Sequence, residues 1–209
     1  MTTTQTRPTI TVDGAQLARA LDAALKVSRD SLHAQGVRLL VRDEALVLEV
    51  VGKRLFVRTF ATLTAETTAS FGPVAIDTHM ASLIYGYALD GPVTLQIADG
   101  ATTRLIAMRG ETPLASTPVL EEATIFAQRA RMLDALLRGR VRPGVMQLQP
   151  RIMGEIVELG KIDPAGHPLV MFPVGPGLVF SQASSLMDAR PWLTGMAELF
   201  RAPDRLSTR

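Results

Sequence analysis

Along this chain, short stretches of alternating apolar and polar residues are interrupted by segments whose apolar residues recur every three or four positions. The first such segment runs from Gln16 to Val27 and puts Leu17, Leu21, Ala24 and Leu25 on one helical face. A strand-like run, Thr9–Val12, precedes it, and Asp13 stands where an N-cap belongs. The second follows Val74–Ile76, with Asp77 or Thr78 as cap, and gathers Met80, Leu83, Ile84 and Tyr87 between Met80 and Leu89. The third follows a strand-like Thr124–Phe126 and covers Arg129 to Leu137, with Met132, Leu133, Leu136 and Leu137 apolar. The fourth follows Val145–Leu148, takes Pro150 at its first helical position, and continues from Ile152 to Leu159 with Ile152, Ile156, Val157 and Leu159 on its face.

After three of these helices the period changes to two. Val37–Val41, Ala45–Val51 and Leu55–Thr64 follow the first helix, with hairpin turns at Arg42-Asp43-Glu44 and Gly52-Lys53. Val93–Ile97, Thr103–Met108 and Thr112–Ala115 follow the second; Leu169–Val174, Gly177–Gln182 and Trp192–Leu199 follow the fourth. The chain thus repeats a strand–helix–strand–strand–strand module. The third helix has no room for its strands, because Gly139, Arg140, Arg142, Pro143 and Gly144 lead straight into the fourth unit. The pattern predicts an α+β fold of antiparallel sheets, each covered on one face by helices. It predicts a tail over 1–8, a first domain of two modules over 9–118, a shortened second domain over 119–202 and a tail over 203–209. Glu111 to Glu122, with Pro113 and Pro118, reads as the connector.

The 209 residues are 47% hydrophobic, enough for a substantial core, yet no apolar run approaches a membrane span. Met1 to Pro8 lacks the apolar centre of a secretory signal, and a chain without cysteine fits the cytoplasm, where we expect it. The absence of cysteine excludes disulfides and thiolate chemistry. His33, His79 and His167 lie far apart, and no glycine-rich phosphate loop is present. We therefore expect no enzyme, cofactor or metal.

Charge sharpens the picture. Only Lys26, Lys53 and Lys161 among the 22 basic residues are lysines. Between Ala123 and Gly154 six arginines meet one acid, Asp134. The helices and their exits carry Arg19, Lys26, Arg29, Arg129, Arg131, Arg138, Arg140, Arg142, Arg151 and Lys161, whereas acids concentrate on strands and turns. Each arginine by itself fits a solvated helix face with its stem laid over apolar surface. Together they fit contact with a nucleic-acid backbone. With aromatics at 5% there is no stacking platform for single strands, so a duplex is the better match.

Ile10-Thr-Val-Asp-Gly-Ala-Gln-Leu-Ala-Arg-Ala-Leu followed by three strands resembles the opening module of a bacterial beta sliding clamp. Gly72-Pro-Val-Ala-Ile-Asp-Thr-His-Met-Ala-Ser-Leu-Ile is similar to the second module, closed by Pro92-Val-Thr-Leu-Gln-Ile-Ala-Asp-Gly and Arg104-Leu-Ile. Pro150-Arg-Ile-Met-Gly-Glu-Ile through Pro168-Leu-Val-Met-Phe, then Trp192-Leu-Thr-Gly-Met, resembles a final module. The resemblance implies a sliding-clamp fold whose helices line a ring around double-stranded DNA and whose role is polymerase processivity. It implies DNA contacts from Arg19, Lys26, Arg29, Arg138, Arg140, Arg142, Arg151 and Lys161. It also implies a cleft for short peptides of a DNA polymerase and a clamp loader, with Thr117, Val119, Leu120, Met196 and Leu199 as its walls. Where clamps carry a Met-Pro-Met type segment, only Met196 matches, and Ala197 stands in the proline's place. Sliding-clamp rings carry twelve pore-lining helices, so four from each chain imply a trimer. The compact size suggests a phage protein working in a bacterial host's cytoplasm. The truncated third module keeps a second reading open: a clamp-like regulator that binds other proteins without encircling DNA.

Overall fold

A computed structural model describes residues 8–28, 36–64, 71–138, 148–174, 177–183 and 191–198. In chain order the elements are β1 (Thr9–Val12), α1 (Gly14–Ser28), β2 (Val37–Arg42), β3 (Ala45–Val51), β4 (Leu55–Thr62), β5 (Val74–Ile76), α2 (Thr78–Leu89), β6 (Val93–Ala98), β7 (Arg104–Arg109) and β8 (Thr112–Pro118). They continue with α3 (Thr124–Leu137), α4 (Pro150–Gly160), β9 (Val170–Val174), β10 (Gly177–Ala183) and β11 (Pro191–Glu198). The Asp caps act as their chemistry demands. Gln16 N–H donates to Asp13 Oδ1 at 2.9 Å, and Met80 N–H donates to Asp77 Oδ1 at 2.6 Å.

Three expectations change. Thr124–Phe126 is the first turn of α3 rather than a strand. The strand expected over Thr112–Ala115 extends to Pro118 and takes up most of the expected connector. On α3 the buried residues are Phe126 and Leu133, while Met132 and Leu137 are exposed. The run Val145–Leu148 lies outside the described residues except for Leu148, which belongs to no strand.

The first two modules exchange strands. β1 leaves its own module to pair with β6, and β5 leaves its own to pair with β2, both antiparallel. One sheet has the order β1-β6-β7-β8, the other β5-β2-β3-β4-β11-β10-β9. α1 and α2 pack against each other beneath them. The start of α1 abuts the end of α2 so closely that a Cβ on Gly14 would lie 2.6 Å from the Ala88 carbonyl oxygen, which is why a glycine stands there. The edges at β1 and β5 are covered by the bridges Val12↔Leu63 and Ala75↔Leu120. The edge at β8 is blunted by Pro113, by Pro118 and by an extra residue, Leu114, at a register shift.

The last three strands do not form a sheet of their own. β11 pairs with β4 from Leu193↔Thr59 to Ala197↔Leu55, so one sheet runs across both halves of the chain. Strand alternation then assigns its faces. Leu55, Val57, Leu178, Phe180, Leu193 and Ala197 join Leu17 and Leu21 of α1 and Ile152, Ile156 and Leu159 of α4 in one core. Phe56, Val174, Val179 and Met196 point the other way and pack against Phe126 and Leu133 of α3. Thus α3 covers the face opposite α1 and α4. The expectation that it shares their face, on which the trimer rested, is corrected.

A charge relay holds α3 in place. Arg58 donates to Glu49 Oε1 from Nε at 2.9 Å and to Asp134 Oδ1 of α3 from Nη1 at 2.6 Å. Arg38 binds Glu49 Oε2 and Glu122 Oε1, each at 2.7 Å. Burial alone lowers the pKa of the Arg58 guanidinium, but its bonds to Asp134 and Glu49 outweigh that and raise it. Glu49 is buried with its charge satisfied on both oxygens, as a buried carboxylate must be.

At Gly195 in the joined sheet an added Cβ would overlap the Phe180 ring, coming within 2.5 Å of Cε2. Gly195→Ala is expected to displace the ring and to cost roughly 1–3 kcal/mol, read from the midpoint of urea unfolding. An unchanged midpoint would mean that Phe180 has room the packing does not indicate.

Candidate functional site

α1 lies between α2 and α4, and the three make a continuous helical layer. Its exposed chemistry is uneven. α2 contains no Asp, Glu, Lys or Arg; it presents His79, Ser82, Leu83, Gly86 and Leu89. On α1, Lys26 Nζ pairs with Asp22 at 3.3 Å. On α4, Arg151 pairs with Glu155 at 3.3 Å and Lys161 with Glu158 at 2.5 Å. The Lys161 hydrogen bond is the main reason the exposed Glu158 carboxyl lies below its ordinary pKa. Each of these cations therefore sits beside an acid one turn away, and the layer carries little net charge.

The expected DNA-contact residues separate accordingly. Lys26, Arg151 and Lys161 are on the helical layer. Arg138 caps α3 and lies with it on the other side of the sheet. Arg29, Arg140 and Arg142 lie outside the described residues. Arg19 is largely enclosed on that layer, with its side chain only 16% exposed. Its Nη1 is 3.5 Å from Asp163 Oδ1, and its guanidinium lies 4.5 Å from the Trp192 ring centroid.

The residues around Arg19 form a cluster that sequence reasoning missed. Asp163 is buried in the turn after α4. Its Oδ2 accepts from the His167 amide at 3.1 Å and lies 2.7 Å from His167 Nδ1, while its Oδ1 accepts from the Ala165 amide at 3.3 Å. Burial pushes the carboxyl up, but the His167 and Ala165 hydrogen bonds overcome it, so its pKa falls below the ordinary value. Gln182 of β10 donates to the carbonyls of Gly160 and His167 at 3.1 and 2.6 Å. The cluster ties α1, the turn after α4 and β10 together. The one visible signal was Asp163-Pro-Ala-Gly-His167, a turn with an acid and a histidine four residues apart.

Beside it, a cleft of about 780 Å3 opens between the start of α1, the end of α2 and the Ile162–Pro164 turn. Tyr85, Leu89, Pro92 and Ile162 make it apolar, and Asp13 and Asp22 put carboxylates on its wall. The one cation on its wall, Arg19, is engaged by Asp163 and Trp192, so the lining does not suit phosphate.

The expected peptide cleft is not assembled within one chain. Thr117 is buried, Val119 half-buried and Leu120 exposed beside β5. Met196 is on β11, four strand positions from β5, or about 19 Å at the usual strand spacing. It is 4% exposed and lies beneath α3 with Phe126 and Phe56, so it fills core rather than lining an open groove. Leu199 lies outside the described residues.

No protein-family model and no curated sequence matches the chain. Solved structures do. The beta sliding clamp of C. crescentus is similar at a TM-score of 0.59 and 12% identity, over 95% of this chain and 66% of that one. The DNA polymerase sliding clamp of Pseudomonas aeruginosa gives 0.59 and 12% over 94% and 66%, and that of Bacillus subtilis 0.56 and 12% over 97% and 67%. The chain thus spans about two thirds of the length of these proteins. The likeness establishes the fold: this is the sliding-clamp architecture, with mixed helices and antiparallel sheets. No described helix is long and apolar enough to cross a membrane.

The Asp163 cluster predicts a pH signature. A carboxyl whose folded pKa is lowered contributes stability above its unfolded pKa and loses it as pH falls through the folded value. Asp163→Asn is expected to cost about 1–3 kcal/mol at neutral pH, with the gap to the unaltered chain closing below about pH 4. Urea unfolding at several pH values checks this; a gap independent of pH would exclude an ionised Asp163.

Proposed function

We propose that copies of this chain close around duplex DNA as a processivity clamp, with α1, α2 and α4 facing the DNA and the sheets forming the outer wall. The observation that carries this reading is the pairing of β4 with β11, which makes one sheet span both halves and keeps three helices in a single layer on one side of it. A clamp neither makes nor breaks covalent bonds. It retains its polymerase by enclosing the DNA, so its contacts have to be weak and indifferent to sequence. Lys26, Arg151 and Lys161, each moderated by a neighbouring acid, suit such contacts. Arg29, Arg140 and Arg142 are sequence-based additions to the same set. With three helices per chain on this layer, a twelve-helix bore takes four chains rather than three. In this reading a polymerase and a clamp loader dock through short apolar peptides, in the cytoplasm of a bacterial host, and the chain's origin is a phage.

One observation favours the second reading, a clamp-fold regulator that binds proteins without encircling DNA. α2 presents an uncharged, partly apolar side where a DNA-facing helix is expected to carry cations.

Retention on DNA separates the two. A clamp stays on nicked circular duplex and slides off the same duplex once it is linearised; equal retention on both, or on neither, would remove the encircling reading. Replacing Lys26, Arg151 and Lys161 by Glu is expected to weaken binding and to lower the slope of log affinity against log salt by about one for every phosphate no longer neutralised. An unchanged slope would take these residues out of the interface.

A further inference from the structure

We propose that the C-terminal module, α4 with β9 to β11, is half of a two-module domain and that a second copy of the same module completes it across a two-fold axis. The proposal goes beyond the DNA reading and does not depend on it.

The chain contains its own template. In its first half a module is never alone: each contributes a strand to the other's sheet, β1 beside β6 and β5 beside β2, and their helices pack side by side with the start of one at the end of the other. β9 holds the position in its module that β2 holds in the first, the strand directly after the helix. Yet β9 has no neighbour on its outer side among the described residues, where β2 has β5. Val170 on that edge is 55% exposed.

The helix repeats the message. The flank of α2 that faces α1 carries Ala81, Tyr85 and Ala88, four and then three residues apart. Counted from the helix starts, the equivalent residues of α4 are Met153, Val157 and Gly160. The opposite flank of α4, where Glu158 lies near enough to Lys26 of α1 to feel its charge, carries Arg151 and Glu155 as well. So the side toward α1 is charged and the side away from it is not. Val157 is 44% exposed there, and Gly154 next to it has no atom within 4 Å of an added Cβ. A glycine inside an exposed helix weakens it relative to alanine, and among the described residues no close approach requires this one. Setting two α4 helices against each other with the offset of α1 on α2 brings Val157 of one copy over Gly154 of the other. A module that meets its own copy in this way forms a closed, self-complementary contact. In a four-chain ring it would join the chains in pairs.

The chain has no cysteine, so a single introduced thiol reports the contact directly. Val157→Cys, treated with a short bismaleimide, is expected to give a covalent dimer of about 45 kDa, twice the 22.5 kDa chain. Leu83→Cys, at another exposed apolar position on α2, is expected to stay monomeric under denaturing conditions. Val157→Arg, with its circular dichroism unchanged, is expected to halve the mass measured by light scattering. A native chain that is monomeric at tens of micromolar, or an oligomer in which Val157→Cys does not crosslink, overturns the proposal. Crosslinking without retention on circular DNA would uphold this contact and remove only the encircling reading.

Discussion

The antiparallel ladder between β4 and β11 is the constraint on which the rest of this architecture depends. Alternation along a strand gives each residue one of two sides, but only a continuous sheet makes those sides the same from strand to strand. Because β11 continues the ladder of β4, Leu193 and Ala197 share a side with Val57 and Leu55, and Met196 shares one with Phe56. α4 must then lie beside α1, and α3 must lie behind them. The two halves of the chain are fastened further by polar contacts on each side: Arg19 to Asp163 in front, Arg58 to Asp134 behind.

Much of this was legible from period alone. β1, β3 and β5 match the expected strands, and the two Asp caps sit where a carboxylate is needed to accept a helix's first free amides. The modules were visible because strands and helices impose different repeats on the same chain. What was not visible was connectivity in space. Nothing in the local pattern of Leu55–Thr62 or Pro191–Glu198 says that they pair, since an edge strand and a central strand of a covered sheet have similar composition. The exchange of β1 and β5 was hidden for the same reason. On α3 the contact row, Phe126 and Leu133, is narrower than the set of apolar residues, so Met132 and Leu137 stay on the surface.

The basic residues show how a one-dimensional charge count fails. The arginine-rich stretch from Ala123 to Gly154 reads as one surface, yet the sheet divides it, with Arg138 at the end of α3 and Arg151 at the start of α4. Arg19 reads as a free cation because its helix neighbours are small. It is instead occupied by an acid 144 residues away and by an indole. Pairing of this kind converts charge into structure and leaves less of it for a polyanion. What remains on the helical layer is a sparse set of cations, each with an acid within a turn.

The two prolines and the extra residue in β8 have a bearing on growth. Any protein whose sheets end in bare backbone can template further copies of itself, one ladder after another, into an unbounded filament. Proline removes the amide such templating needs, and a bulge spoils the spacing of the amides that remain. The strand Thr112–Pro118 therefore acts as a terminus for the sheet. Whatever meets it has to be recognised by side chains, which are specific, rather than by main chain, which is not.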